Sequence, residues 1–120
     1  MSNLLIEIVH SPFGHENAYA GLFVAMAWAS MGNDVTVVLR EEGVHTGRKG
    51  QVNPFENINL PPTEKQVNEL LEVGGRVVAD RQALQMRGIR AEELINGVAV
   101  LDVSEIRGLM VECGEKFLSF

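Results

Sequence analysis

From Ala18 through Asn33 the chain carries no charge, and apolar, β-branched runs stand on either side, LLIEIV at 4–9 and DVTVVL at 34–39. The first run is interrupted only by Glu7 and stops at His10-Ser11-Pro12, where proline cannot continue a ladder. The second is nearly continuous, which suits a central parallel strand covered on both faces. Between them Gly14 supplies a turn, and Glu16 or Asn17 stands where an acid or amide satisfies the first free N–H groups of a helix. That helix is expected to run to about Met31 and stop at Gly32-Asn33. Strand, helix and strand within about 36 residues make a right-handed βαβ crossover the default.

The uncharged helix has no solvated face. Ala18, Leu22, Ala25 and Ala29 form a stripe that lies on the sheet, while Phe23, Ala27 and Met31, with Trp28 beside them, occupy other faces. A helix apolar all round is normally buried all round, which a small domain seldom achieves alone. The expectation is a subunit interface through Phe23, Ala27, Trp28 and Met31, with the protein its own partner as a homo-oligomer. A membrane span is excluded, because it needs about 20 predominantly apolar residues, and this run is shorter and contains Gly21, Ser30 and Gly32.

The remaining chain repeats the alternation. Residues 40–62 form a polar segment punctuated by Gly43, Gly47, Gly50 and Pro54, expected to be irregular and to act as a lid or binding loop. Thr63 opens a second helix, with Gln66 three residues on as in a capping box; its apolar side is Val67, Leu70, Leu71 and Val73. Gly74-Gly75 ends it, and Arg76–Ala79 makes a third strand. A short helix closes at Gly88, Ala91–Ile95 makes a helical turn or two, and Val98–Leu101 is a fourth strand. Asp102 or Ser104 caps a last helix to about Glu112, before a fifth strand, Lys116–Phe120. The pattern βαβαβαβαβ predicts an α/β fold, a three-layer α/β/α sandwich with a mostly parallel five-stranded sheet. At 120 residues the chain buries one core, so residues 1–120 are read as a single domain.

Ten basic against sixteen acidic residues, a net charge of −6, argue against nucleic acid or an anionic membrane as partner. One cysteine, Cys113, cannot form an intramolecular disulfide, and the start lacks the features of a secretion signal, so a cytoplasmic location is expected.

In open α/β sheets ligands collect outside the carboxyl ends of the strands. Asp80 and Arg81 follow the third strand there. The loop from His10 to Asn17 adds His10, Ser11, Gly14, His15 and Glu16 at a helix N-terminus, a plausible small-anion pocket. It lacks the GxxxxGK[ST] and GxGxxG spacings of nucleotide loops. His45 follows the second strand, and with His10, His15 and Asp80 offers zinc-type donors, but no pair has the spacing that fixes ligand geometry. No metal and no cofactor is therefore expected. Arg40, Arg48, Lys49 and Arg81 give this edge a basic rim. Asp80 suits either a general base or a cap for the following helix, and Cys113, ending the last helix, a packing role.

Four stretches in order, SPFGHENAYAGLFVAMAWASMGNDV, VVLREEGVH, VVADRQALQMRG and VECGEKFLSF, resemble the DsrE/TusD (DsrE/DsrF) family of small sulfur-relay proteins over nearly the whole chain. In its sulfur-carrying members a persulfide-bearing cysteine lies after the third strand, eight residues before the glycine of an Arg-Gly pair. Counting back eight from Gly88 lands on Asp80, which cannot carry a persulfide. Cys113 matches a cysteine that some members carry near the last strand, away from the acceptor position. The resemblance implies a trimer or hexamer, with sulfur-relay proteins as further partners. The reading is a DsrE-like oligomer related to persulfide carriers and sulfurtransferases, acting as a non-catalytic binding or structural component. The alternatives are a small-molecule or anion-binding enzyme using Asp80 and the His10–Asn17 loop, and sulfur transfer through Cys113.

Overall fold

The computed structural model describes residues 3–13, 16–50, 62–113 and 116–120. Gly14 and His15, named above, lie outside these residues, as does Pro54. The strands are β1 (Asn3–Ile8), β2 (Asp34–Leu39), β3 (Arg76–Asp80), β4 (Ala99–Leu101) and β5 (Lys116–Ser119). The helices are α1 (Asn17–Ser30), α2 (Thr63–Glu72), α3 (Arg81–Met86) and α4 (Val103–Cys113). The sheet order is β4-β3-β2-β1-β5, and every strand pairing is parallel, in keeping with the expected mostly parallel five-stranded sheet.

Side-chain alternation divides the sheet into two unequal faces. On one, Leu4, Ile6 and Ile8 of β1, Val35, Val37 and Leu39 of β2, and Val77 and Ala79 of β3 pack against Ala18, Leu22 and Ala25 of α1 and Val67 and Leu70 of α2. The short α3 adds Ala83 and Leu84 to this larger core. On the other face Leu5, Val38 and Val78 meet only Ile106 of α4, with Leu109, Met110 and Cys113 partly buried around them. The layers are thus α/β/α as expected, with a single helix in the thinner one.

Two local expectations fail. Residues Glu41–Gly47 are a 3-10 helix, not irregular chain, and Val44 and Thr46 within it are fully buried. What permits this is Gly43, which lies so close to β1 that an added Cβ would sit 1.9 Å from the carbonyl oxygen of Ile8. Thr63 forms no capping box: the helix is entered from Pro62 without a side-chain cap, and Gln66 donates from Nε2 to the Tyr19 carbonyl at 3.3 Å. Gln66 is used to tie α2 to α1.

α1 divides the four interface candidates. Phe23 is 61% and Met31 80% exposed, and Ala27 is exposed between them, so the three form one stripe at i, i+4 and i+8. Tyr19 extends it by stacking on Phe23 with ring centroids 6.4 Å apart. Trp28 turns inward instead, half-buried against the larger core, with the Lys116 ammonium 5.0 Å from its ring centroid as a cation–π contact.

Candidate functional site

β3 ends at the carboxyl edge of the sheet, and there Asp80 is drawn into the backbone of α3. Its Oδ1 accepts a hydrogen bond from the Gln82 amide at 3.1 Å, the geometry of a helix N-cap. Arg81, the expected anion partner beside it, is turned away: Nε pairs with Asp102 Oδ1 at 2.7 Å and Nη2 reaches the Val100 carbonyl at 3.4 Å.

The two described histidines, His10 and His45, are not gathered around Asp80. His10 follows β1, two strands from β3 and therefore about 10 Å across the sheet. Its Nδ1 donates to the Phe120 carbonyl at 2.7 Å, which fixes the ring against the end of β5. His45 lies in the 3-10 helix, with Nε2 3.3 Å from Glu42 Oε2 and Nδ1 3.5 Å from Arg48 Nη1. Among the described residues no three His, Cys, Asp or Glu side chains are placed to hold a metal ion. Ser11 accepts from the Phe13 amide at 3.1 Å, closing a local turn, and Glu16 precedes α1 without a side-chain cap; the Ala20 amide bonds its carbonyl at 2.8 Å.

Glu7 is the functional-edge residue that sequence reasoning passed over. It is only 9% exposed, and its Oε1 pairs with Nη1 of Arg40, the first residue past β2. The other oxygen, Oε2, accepts from the Ser119 hydroxyl at 3.1 Å, and the backbone amide of Phe120 bonds the Glu7 carbonyl at 2.7 Å. A carboxylate on a central strand is costly unless paired and hydrogen-bonded, and both conditions are met. The signal was present as a lone acid inside LLIEIV together with the arginine that ends DVTVVLR. Arg40 follows the Leu39–Ala79 register by one residue, so it stands level with Asp80 on the neighbouring strand. Across this edge the order is Glu7, Arg40, Asp80, Arg81 and Asp102, alternating in sign.

A second charge network fastens the 3-10 helix down. Arg87 Nε binds Glu42 Oε1 at 2.9 Å, Arg48 approaches Glu93 at 3.9 Å, and the Lys49 and Ile95 amides bond the carbonyls of Glu93 and Gly47 at 3.0 and 2.8 Å. The Arg90 amide donates to Glu93 Oε2 at 2.7 Å and holds that carboxyl below the usual carboxylate range, helped by the Arg90 and Arg48 charges and opposed by desolvation. A lowered folded-state pKa contributes stability that is present above the unfolded value and lost as pH falls through the folded one. In an NMR titration Glu93 is therefore expected to change charge below the ordinary glutamate range, with the Arg90 amide following the same midpoint; an ordinary midpoint refutes the bond.

Cys113 lies far from this edge. It ends α4 at the amino edge of the sheet, half-buried, with Arg76 Nη2 3.1 Å from its sulfur. No described helix is long and apolar enough to cross a membrane.

A family model described as DsrE/DsrF-like matches residues 3–120. The uncharacterized protein MK0008 of Methanopyrus kandleri is 31% identical over 103 residues, 86% of this chain and 82% of that protein. MJ0989 of Methanocaldococcus jannaschii is 29% identical over 105 residues, 88% of this chain and 89% of that one. Among solved structures, the ychN protein of E. coli superposes with a TM-score of 0.88 at 22% identity, covering all of both chains. MTH1491 of Methanobacterium thermoautotrophicum does so with a TM-score of 0.73 at 20% identity, again over both full chains.

Proposed function

The chain belongs to the DsrE/DsrF-like family, and from that premise we propose that it is an oligomeric, non-catalytic binding or structural component related to sulfur-relay subunits. The observation that carries this reading is the use made of Asp80. Counted back eight from Gly88, it falls where the resemblance puts the acceptor cysteine of sulfur carriers, and its carboxylate serves as the N-cap of α3. An aspartate has no sulfur to accept a persulfide. The charges around it support the same reading, since Arg81 is paired with Asp102 and Arg40 with Glu7.

In this reading the protein acts in the cytoplasm as a homo-oligomer, a trimer or hexamer, assembled through the exposed stripe of α1. Its further partners are sulfur-relay proteins that contribute the thiols it lacks. Intact-mass analysis tests the proposal. After incubation with a persulfide-loaded sulfurtransferase, the protein is expected to keep its unmodified mass. The Asp80→Cys variant is expected to gain one sulfur. A stable added sulfur on Cys113 of the parent protein would overturn the non-carrier reading.

A further inference from the structure

A cavity lies at the amino edge of the sheet, opposite the side where ligands of such folds collect. It has a volume of about 380 Å³, within the lower range of small-molecule sites, and is lined on the α4 side by Asn3, Asp34, Thr36, Arg76, Glu112 and Cys113. Parallel register sets this lining. Asn3 stands opposite Asp34, and Thr36 opposite Arg76, so strands β1, β2 and β3 each bring polar side chains to the same face. α4 then crosses that face from the carboxyl edge and ends at Cys113 beside them.

The charges here differ from those at the carboxyl edge, where each arginine is spoken for by an acid. Arg76 is held in place without being neutralised: Nε donates to Thr36 Oγ1 at 3.3 Å and Nη2 lies 3.1 Å from the Cys113 sulfur. Neither contact is a carboxylate, and among the described residues the guanidinium, which lines the cavity, has no ion-pair partner. Asp34 and Glu112 have no ion-pair partner among the described residues. The C-terminal end of α4 adds the partial negative charge that helix carbonyls present to a cation. One fixed cation and two unpaired carboxylates complement a molecule with one carboxylate and two ammonium groups.

We propose that this amino-edge cleft binds a small basic amino acid, its carboxylate on Arg76 and its ammonium groups on Asp34 and Glu112. The site is independent of the carboxyl edge and of whether Asp80 has any chemistry. Because the two acids are solvent-exposed, each ion pair is individually weak, and binding is expected at millimolar ligand.

Amide NMR on the full chain tests this. L-lysine is expected to shift the signals of Asp34, Thr36, Arg76 and Cys113 saturably, L-alanine to do so more weakly, and L-glutamate not at all. Asp34→Asn and Glu112→Gln, both at exposed positions that keep the fold, are each expected to weaken lysine binding by about two- to fivefold. Putrescine, which has the two ammonium groups without the carboxylate, is expected to bind more weakly than lysine and to lose no affinity on Arg76→Gln, which removes a like charge from the cleft. The proposal is overturned if lysine gives no saturable shift of these amides, if sodium chloride at matched ionic strength reproduces it, or if putrescine binds as well as lysine.

Discussion

Gly43→Ala is expected to destabilise the protein by about 3 kcal/mol, among the larger effects of a single substitution. The new methyl group would meet the Ile8 carbonyl oxygen at 1.9 Å and its carbon at 2.5 Å, so the clash is with backbone and no side-chain rotation relieves it. That carbonyl is not free to move, because it accepts the Arg40 amide at 3.0 Å, and Gly43 is itself tied to the Arg40 carbonyl at 2.8 Å. Relief therefore requires lifting the 3-10 helix off β1, with Val44 and Thr46 leaving the core. At about 4 °C of Tm per kcal/mol for a domain of this size, thermal unfolding should shift down by about 12 °C. Gly108 is the internal control. Midway along α4 an added Cβ would meet nothing within 4 Å, so Gly108→Ala is expected to stabilise by about 0.5–1 kcal/mol. Two glycine-to-alanine changes should thus move Tm in opposite directions, and a Gly43→Ala protein that melts with the parent would remove the close approach as an explanation of this segment.

Phe23→Asp is expected to reduce the proposed homo-oligomer to single chains of 13.2 kDa. In one copy the Phe23 ring is mostly in water, so the substitution costs the isolated fold little, and the far-ultraviolet circular dichroism should not change. In an interface built on this stripe the same change forfeits about 1.5–3 kcal/mol of apolar burial per copy and places a carboxylate in an apolar contact, which is unfavourable without a partner. Multi-angle light scattering at micromolar concentration separates the two states. A parent protein already monomeric under those conditions would refute the interface.

Elements were legible in the sequence because each one is patterned by its own residues. β2 coincides with the expected run, and the other strands differ from expectation by a residue or so at their ends. What escaped were features made by residues distant in sequence. Glu7 reads as an interruption of an apolar strand until Arg40 and Ser119 are seen beside it, 33 and 112 positions away. The 3-10 helix depends on how closely Gly43 approaches β1, and local composition alone suggested an irregular loop. Gln66 stood at capping-box spacing, yet its side chain is turned to α1, where Nε2 donates to the Tyr19 carbonyl. Topology put His10 after β1 and His45 after β2, but sequence spacing could not show that His10 would bond the Phe120 carbonyl or that His45 would lie beside Glu42. The amino-edge cleft was missed for a related reason: its polar groups come one or two at a time from three strands and a helix, and only the register brings them together.

The sheet order places β5 beside β1, and this sets an order of events in folding. The β1, β2, β3 and β4 pairings each join strands next to one another in the chain, whereas Leu4 waits for Lys116 and Ile6 for Leu118. Closing so long a loop is slow relative to the sequential crossovers. Until it closes, β1 presents the outer edge of a parallel sheet with unpaired backbone groups, and Glu7 lacks the Ser119 hydroxyl. An open strand edge is a template for pairing with other chains. The last four-residue strand, exposed along its length, therefore adds little to the buried core, and its physical contribution is to pair the backbone edge that β1 would otherwise present.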